Sequence, residues 1–336
     1  MILLDAIYIN NSGGKILLDY LIQNLLATDK KVFYLLDKRV EDSTPYLPVS
    51  DNVLFLQASF INRHKFYKEN RDKFSTVFCF GDLPPSIKLK NATVYTYFHQ
   101  QLYIKVPKTV PFKQRMMLLL KRRVLKSIFN NTDYWALQTQ QIKNDFLKKF
   151  KFKESNVLIL PFYPSLQSNV KTQKIKNSFV YISNAPPHKN HLRLIKAFCL
   201  FYDNNKTGSL TLSISDNFTE LITLIKNKQL SGYPIHNLGF IDRDQLTNVY
   251  QKSEYLVFPS LAESFGLGIV EAIQNDCKVI GSDLPYLYSV CEPSLVFNPL
   301  DEDSIEKALT KAVNQKLNDS IAKVYDEIDD VLKILT

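Results

Sequence analysis

Residues 255–288 carry the clearest fold signal in the chain and read YLVFPSLAESFGLGIVEAIQNDCKVIGSDLPYLY. An apolar run rich in aromatic and β-branched residues opens the stretch, and Pro259 ends it, as is typical of a buried strand. The apolar period then predicts a helix over Leu267–Gln274, and a second strand follows over Lys278–Gly281. A strand, a helix and a strand in this order predict a unit of parallel sheet.

The same alternation continues along the chain and indicates an α/β protein. Residues 167–177 are polar, rich in lysine and poor in apolar residues, which favours a linker there. We therefore predict two Rossmann-like, doubly wound domains, over residues 1–166 and 178–318, and a C-terminal helix over 319–336. Ligands bind such sheets outside the carboxyl ends of the strands, so we expect a ligand in the cleft between the domains.

The composition is that of an ordinary globular protein. Of the 336 residues, 45% are hydrophobic and 22% charged, which excludes disordered and fibrous classes. No run reaches the roughly 18 apolar residues that a membrane-spanning helix needs. The apolar start, Met1 to Asn10, contains Asp5 and no positive region, so it indicates a first strand and not a secretory leader. Four scattered cysteines show neither metal-ligand spacing nor a disulfide framework, and we expect a cytoplasmic location.

The net charge of +9 is concentrated in the first half of the chain. Residues 1–165 contain 25 lysines and arginines against 13 acidic residues, whereas residues 166–336 contain 17 against 20. Between Asp82 and Asp133 there is no acidic residue, but there are ten basic ones: Lys88, Lys90, Lys105, Lys108, Lys113, Arg115, Lys121, Arg122, Arg123 and Lys126. A block of one sign marks a surface for an anionic partner, although a solvated charged face gives the same pattern.

The basic block includes a predicted helix over Pro111–Phe129 that interleaves apolar and basic residues. Met116, Met117 and Leu118–Leu120 alternate with basic clusters, as in a helix that lies on anionic lipid. A core helix with a basic outer face fits equally well, and both interpretations stay open at this stage. No recognised nucleic-acid-binding module accompanies the charge, so we expect an anionic membrane surface and no nucleic acid as partner.

Two glycine-containing loops precede predicted helices and leave backbone N–H groups open to an anionic ligand. Gly266 and Gly268 lie at the start of one helix, and Gly13–Gly14 lie at the start of the other, although a glycine pair also forms ordinary tight turns. Glu271 lies about one and a half turns inside the helix that follows Gly266. A carboxylate there can accept hydrogen bonds from vicinal hydroxyls such as those of a ribose, and Glu263, in the loop, can do so for a sugar.

The two glutamates are separated by seven residues, with Ser264-Phe265-Gly266-Leu267 after the first and Ala272 after the second. This pattern resembles the E-x7-E motif of family 4 (group 1) glycosyltransferases, which have the GT-B fold. The resemblance implies two Rossmann-like domains that face each other across a cleft, with a C-terminal helix that returns to the first. It also implies a retaining, metal-independent hexosyltransferase that takes a nucleotide-sugar as substrate and needs no cofactor.

The resemblance implies roles for individual residues in the second half. Asn237-Leu238-Gly239-Phe240-Ile241 is similar to the family segment whose backbone holds the nucleobase, which implies that Ile241 and Asp242 lie near the base. In residues 179–198, FVYISNAPPHKNHLRLIKAF, Lys189 matches the family's diphosphate-binding lysine. Asn184 stands where the family has an arginine, and an amide carries no charge. His188 or Arg193 are candidates to compensate for that departure.

The other implied contacts come from both halves of the chain. The donor-binding set is completed by Gly13, Gly14, Phe265, Gly266 and Leu267, with Glu263 at the donor sugar and Glu271 at the ribose. His99 follows a predicted strand and matches a family histidine that faces the acceptor, although a structural histidine is the alternative. We therefore expect Glu263, His99 and Lys189 to take part in catalysis.

Two D-x-D triplets, Asp242-Arg243-Asp244 and Asp301-Glu302-Asp303, would also fit a metal-dependent transferase of another fold. Both precede predicted helices, where aspartate is a common N-terminal residue. We therefore interpret both as helix starts and expect no metal site.

The sequence thus predicts transfer of a hexose-type sugar from a UDP- or GDP-linked donor to a glycan acceptor. A lipid-linked O-antigen or capsule precursor at the inner face of the plasma membrane fits the basic first half and the resemblance. Two other functions stay open: a nucleotide-sugar epimerase of the same fold, and a non-catalytic scaffold that binds polyanions or membranes. Free epimerised donor would indicate the first, and binding without transfer would indicate the second.

Overall fold

The computed structural model describes residues 1–48, 50–107, 110–166 and 172–335, which fall into two compact units. Within these ranges, the first unit comprises residues 1–106, 111–164 and 325–335, and the second comprises 165–324 together with Pro107 and Val110. Residues 167–171 of the predicted linker, and Lys108 of the basic block, lie outside the described residues.

The first unit is built on a parallel sheet. Its strands are β1 (Ile2–Ala6), β2 (Val32–Asp37), β3 (Val53–Leu56), β4 (Thr76–Phe80), β5 (Thr93–Tyr97), β6 (Tyr134–Leu137) and β7 (Val157–Ile159). They lie in the order β3-β2-β1-β4-β5-β6-β7. Strands β1 and β2 are buried along their whole length, as expected for a parallel sheet covered on both faces. The helices between the strands are α1 (Ser12–Leu26), α2 (Phe60–Glu69), α3 (Phe112–Ile128) and α4 (Gln140–Phe150).

The second unit repeats this architecture. Its strands are β8 (Ile175–Tyr181), β9 (Ser209–Leu212), β10 (Ile235–Asn237), β11 (Ser253–Phe258), β12 (Lys278–Ser282), β13 (Cys291–Glu292), β14 (Leu295–Phe297) and β15 (Ile321–Ala322). Its helices are α5 (His191–Asn205), α6 (Thr219–Leu230), α7 (Arg243–Lys252), α8 (Leu267–Gln274), α9 (Pro285–Val290) and α10 (Glu302–Asn314). The main sheet is parallel, in the order β10-β9-β8-β11-β12-β14, and β13 pairs with β15 separately.

The strand order of the second unit reverses at its centre. From β8 the chain runs outward to β9 and β10, and then returns to the opposite side of β8 as β11. In doubly wound sheets such a reversal opens a crevice at the carboxyl ends of the two central strands. The loops that leave β8 and β11, residues 182–190 and 259–266, carry Lys189 and Glu263.

The last helix, α11 (Ile328–Leu335), belongs to the first unit, which confirms the predicted return of the chain. It packs on α1 and β4 and buries Ile328, Val331 and Leu335. The return begins with a hydrogen bond from the Tyr163 N–H to Asp326 Oδ1 at 3.1 Å. The helix is shorter than the predicted 319–336, because Ile321–Ala322 forms strand β15.

Helix α3 is packed on one side and exposes apolar side chains on the other. Phe112 is 77% exposed and Leu120 63%, and the exposed apolar set also includes Met116, Met117 and Leu119. Most of these residues follow one another at the three- and four-residue spacing of a single helix face. The buried side consists of Leu118, Leu125 and Ile128. Helix α3 is therefore a core helix with an exposed apolar surface, and its interaction with lipid stays a prediction.

The basic residues of α3 differ in exposure. Lys113, Lys121, Arg123 and Lys126 are exposed. Arg122 instead points inward and donates from Nη2 to the Leu102 carbonyl at 3.4 Å, and burial lowers its pKa. Within the described part of the chain, no helix is both long and apolar enough to cross a membrane.

Candidate active site

The loop between β11 and α8 is fixed by hydrogen bonds to its backbone. Tyr286 OH donates to the Ser260 carbonyl at 2.8 Å, and the Leu261 N–H donates to the His188 carbonyl at 2.8 Å. Asn190, with φ +63°, donates from Nδ2 to the Pro259 carbonyl at 3.2 Å. These bonds tie the loop after β11 to the loop after β8, so the side chains that the two loops carry are held close together.

Lys189 and Glu263 form an ion pair at this place. Lys189 ends a 3-10 turn over Pro187–Lys189, and its Nζ lies 2.5 Å from Glu263 Oε1. The Phe258 ring centre lies 5.9 Å from the same Nζ. Both charged side chains are about four-fifths or more buried, so water screens their attraction less than that of a surface pair. An anion that binds Lys189 must therefore compete with Glu263.

Helix α8 begins with a glycine turn. Gly266 has φ +75°, in the left-handed region, and a Cβ there would lie 2.9 Å from Ile269 Cδ1. A Cβ on Gly268 would lie 3.1 Å from the hydroxyl of Tyr250. The first N–H groups of a helix lack partners within it, and the helix dipole is positive at this end. The predicted residues Phe265, Gly266 and Leu267 thus lie at a helix start that favours an anion.

Glu271 lies on α8 and pairs with Arg243, which the sequence reasoning missed. Arg243 Nη1 lies 2.6 Å from Glu271 Oε1, and the glutamate side chain is 5% exposed. Burial raises the pKa of Glu271, and Arg243 opposes that rise. Arg243 is the middle residue of the triplet Asp242-Arg243-Asp244, of which the sequence analysis considers only the two carboxylates. The signal that could have found it is its position as the first residue of α7, directly after the Ile241-Asp242 pair.

The residues expected to contact the nucleobase precede α7. Ile241 is half-buried, and Asp242 is exposed and accepts through its backbone carbonyl from the Gln245 N–H at 3.1 Å. The turn before them contains Gly239, with φ +67°. Asn237, just before this turn, stabilises it through two hydrogen bonds to Ile214. Its Oδ1 accepts from the Ile214 N–H at 2.7 Å, and its Nδ2 donates to the Ile214 carbonyl at 2.8 Å.

Arg193 and His188, the two candidates to compensate for the missing arginine, have other interactions in the structure. Asn184 itself is exposed. Arg193 Nη1 donates to Asn190 Oδ1 at 2.6 Å and to the Pro299 carbonyl at 3.4 Å. It therefore helps to hold Asn190, which ties the two loops together. Burial and the neighbouring Lys189 lower the pKa of His188, which keeps that ring uncharged at neutral pH. His188 therefore adds no positive charge, and the guanidinium of Arg193 is already hydrogen-bonded to Asn190 and Pro299.

In the first unit, His99 lies beside a carboxylate that was also missed. Asp82 Oδ1 accepts from the N–H groups of His99 and Gln100 at 2.7 and 3.0 Å, and its Oδ2 lies 3.5 Å from His99 Nε2. Burial raises the pKa of Asp82, and His99 opposes that rise. Asp82 follows β4 by two residues, and this position at the carboxyl end of a strand is the signal that could have found it.

The Gly13–Gly14 pair lies in the first turn of α1. A Cβ on Gly13 would meet no atom within 4 Å, so the backbone there is open. The next residue, Lys15, is engaged by Asp19, whose Oδ1 lies 2.6 Å from its Nζ. The structure thus places His99 and Gly13–Gly14 in the first unit, and the other predicted site residues in the second.

The two D-x-D triplets are helix starts, as predicted. Asp242 directly precedes α7, and Asp301 directly precedes α10, where its side chain accepts from the Asp303 N–H at 3.0 Å. In the described ranges, no group of three or more histidine, cysteine, aspartate and glutamate side chains is arranged to hold a metal ion.

Solved structures share this fold over nearly the whole chain. HepE of Anabaena, in complex with UDP and glucose, has a TM-score of 0.68 at 13% identity, over 94% of this chain and 89% of its own. WaaG, a glycosyltransferase involved in lipopolysaccharide biosynthesis, has a TM-score of 0.64 at 13% identity, over 94% and 90%. With two parallel, doubly wound sheets and neighbours of this kind, the chain has the GT-B fold, as predicted.

The second unit matches a family model. Residues 165–326 match the model described as Glycosyl transferases group 1, and this range includes Lys189, Glu263 and Glu271. The match covers the second unit and slightly less than half of the chain, so it is this unit that resembles the family. Among curated proteins, O-antigen chain mannosyltransferase RfbU of Salmonella typhimurium is 24% identical over 205 residues, which is 60% of this chain. The match spans 56% of RfbU, so the chain covers about half the length of that relative.

Proposed function

We propose that this chain is a retaining glycosyltransferase that moves a hexose-type sugar from a UDP- or GDP-linked donor to a glycan acceptor. The observation that carries the proposal is the pair of buried carboxylates, Glu263 and Glu271, set on either side of the α8 start and each held by a cation. Glu263 then binds hydroxyls of the donor sugar, and Glu271 binds the ribose. The family match, the UDP and glucose bound by HepE, and the mannosyltransferase name of RfbU support this assignment.

The proposed chemistry is stabilisation of the departing diphosphate. When the donor binds, its phosphates draw Lys189 away from Glu263, which frees the carboxylate for the sugar. The N–H groups at the α8 start and those of Gly13–Gly14 add hydrogen bonds to the phosphates. As the bond from the sugar carbon to the phosphate oxygen breaks, negative charge grows on that oxygen. Fixed positive groups there lower the barrier, so we propose that no metal ion is needed.

Retention of configuration is proposed to follow from attack on the face that the diphosphate leaves. The acceptor hydroxyl bonds to the sugar carbon on that face, and its proton passes to the released phosphate oxygen. His99, supported by Asp82 in the first unit, is assigned to the acceptor side.

The proposed acceptor is a lipid-linked precursor of O-antigen or capsule, bound by an enzyme that is peripheral on the inner face of a membrane. Helix α3 supports this part, because its exposed apolar residues stand among four exposed basic ones. Apolar side chains that enter the acyl boundary and cations that attract anionic headgroups act together in interfacial helices. The relative RfbU, an O-antigen chain mannosyltransferase, is consistent with such an acceptor.

Donor use is tested by comparing Lys189→Ala with Lys196→Ala. Lys196 is a matched control because it lies on α5 and pairs with Glu302 at the surface. Loss of a charge-assisted contact costs about 1.5–3 kcal/mol, so Lys189→Ala should lower kcat/KM for the preferred donor at least about tenfold, and Lys196→Ala should not. GDP-mannose and UDP-glucose are the first donors to assay, with and without EDTA.

Four results would overturn parts of the proposal. Equal kcat/KM in the two lysine variants would remove Lys189 from the donor site. Loss of transfer in EDTA that Mg2+ restores would show that the reaction needs a metal. Epimerised donor released without acceptor would indicate an epimerase, and donor binding with neither reaction would indicate a scaffold.

A further inference from the structure

Arg243 contacts the carboxylate that we assign to the donor ribose. Its Nη1 lies 2.6 Å from Glu271 Oε1, and about three-quarters of its side chain is buried. The pair joins the first residue of α7 to the middle of α8. It therefore links the turn at 238–242, which is expected to hold the nucleobase, to the carboxylate expected to hold the ribose.

Glu271 needs such a partner because it is buried. A carboxyl group taken out of water without a positive neighbour tends to bind a proton. Two ionisable side chains face Glu271 among the described residues, namely Arg243 and Tyr250, both on α7. Burial raises the pKa of the Tyr250 hydroxyl well above its usual range, so this group stays neutral. Arg243 is therefore the countercharge of Glu271.

We propose that Arg243 is a positioning residue whose guanidinium fixes Oε1 of Glu271, so that Oε2 accepts hydrogen bonds from the ribose hydroxyls of the donor. The inference rests on the proposed function, since it takes Glu271 as the ribose-binding group. It adds a residue that the two-glutamate motif does not contain. It also supplies a positive charge that favours the ionised form of a carboxylate buried in α8, and an ionised acceptor forms hydrogen bonds about twice as strong as a neutral one.

The experiment measures dissociation constants of GDP, UDP and their 2′-deoxy forms between pH 6 and pH 9. The proteins are the wild type, Arg243→Gln, Arg243→Lys and the control Lys252→Gln. Lys252 lies at the opposite end of α7 and is exposed, so its replacement removes the same charge from the same helix. Inorganic pyrophosphate is measured with each protein as a probe of phosphate binding alone.

The wild type should prefer the ribose form about tenfold, with little change over this pH range. Arg243→Gln should lose most of this preference near pH 6 and regain part of it towards pH 9, because the unpaired carboxyl group then gives up its proton. Arg243→Lys should keep most of the preference, and Lys252→Gln should match the wild type. Pyrophosphate should bind all four proteins alike.

Two outcomes would overturn the inference and leave the proposed function standing. One is a ribose preference in Arg243→Gln that equals the wild type at every pH. The other is an equal loss of affinity for ribose forms, deoxy forms and pyrophosphate, which would show that Arg243 contacts phosphate. A wild type that binds ribose and deoxy forms equally would overturn the inference together with the assignment of Glu271.

Discussion

At the scale of single residues, Gly266 and Gly13, both at the start of a helix, differ sharply in how well they would tolerate a side chain. Gly266 has a positive φ and Ile269 within 2.9 Å of the place a Cβ would take, whereas Gly13 has open space around it. Yet both are assigned to the same proposed task of letting phosphates approach the backbone. Their replacement by alanine therefore separates a conformational need from a need for space around a ligand.

We predict opposite effects of Gly266→Ala and Gly13→Ala on stability. The left-handed conformation costs a residue with a Cβ about 1–2 kcal/mol, so Gly266→Ala should lower the free energy of unfolding by at least that amount. Gly13→Ala places a better helix former in α1 and should leave stability unchanged or raise it by about 0.5–1 kcal/mol. If Gly13 approaches the donor phosphates, this variant should still raise the donor KM. Urea unfolding and donor kinetics check the two expectations.

A Gly13→Ala variant with unchanged donor KM would contradict the phosphate role of this loop. A Gly266→Ala variant as stable as the wild type would contradict the requirement for glycine at the start of α8.

The sequence predicted individual carboxylates better than their partners. Glu263 and Glu271 stand in a recognisable local pattern, because a strand, a glycine turn and a helix all lie within residues 253–274. Arg243 is 28 residues away from Glu271 in sequence, and Asp82 is 17 residues before His99. Such contacts arise only when the fold brings distant segments of the chain together, and no local period or spacing predicts which side chains will pair.

At the scale of elements, the parallel strands and the regular helices were predictable, whereas α2 was not. The helix Leu267–Gln274 has its predicted bounds, and the strand predicted over Lys278–Gly281 extends over Lys278–Ser282, since both have a clear apolar pattern. Helix α2 was missed because its buried face includes Arg63, which breaks the apolar period. The structure stabilises this arginine through Asp5, whose Oδ2 lies 2.8 Å from its Nε.

Helix α3 yields a prediction about membranes. Near an anionic leaflet each exposed cation contributes about 1 kcal/mol, so the protein should sediment with anionic vesicles and dissociate as salt rises. Lys121→Glu, Arg123→Glu and Lys126→Glu together should abolish sedimentation while transfer to a soluble acceptor continues. Arg122 is left unchanged because it packs inward. Vesicle co-sedimentation over a salt series is the measurement.

The matched control replaces three exposed lysines of the second unit, Lys226, Lys252 and Lys307, by glutamate. This variant has the same net charge and should still sediment. Equal binding of the wild type to neutral and anionic vesicles, or binding to neither, would contradict the proposed role of α3.

At the scale of the whole molecule, the first unit is assembled from both ends of the chain. The α11 side chain of Val331 is fully buried in this unit, and Tyr20 OH on α1 donates to Asp326 Oδ2 at 2.5 Å. Trp135, the single tryptophan of the chain, is also fully buried in the first unit. Its fluorescence therefore reports on the unfolding of this unit.

We predict that Val331→Ala lowers the stability of the first unit by about 2 kcal/mol, because two buried methyl groups are lost and a cavity is left. The midpoint of the Trp135 fluorescence transition in urea should fall accordingly. Lys333→Ala, an exposed change on the same helix, should move it by less than about 0.5 kcal/mol. An unchanged midpoint in Val331→Ala would show that α11 is not part of the cooperative core.

The position of α11 also sets the order in which the protein can mature during synthesis. A ribosome releases the chain from its N-terminus, and domains made first usually fold first. Here the segment that covers α1 and β4 is translated after the whole of the second unit. The half of the chain that emerges first is therefore completed last, and until then the nascent polypeptide exposes an apolar face that chaperones can bind.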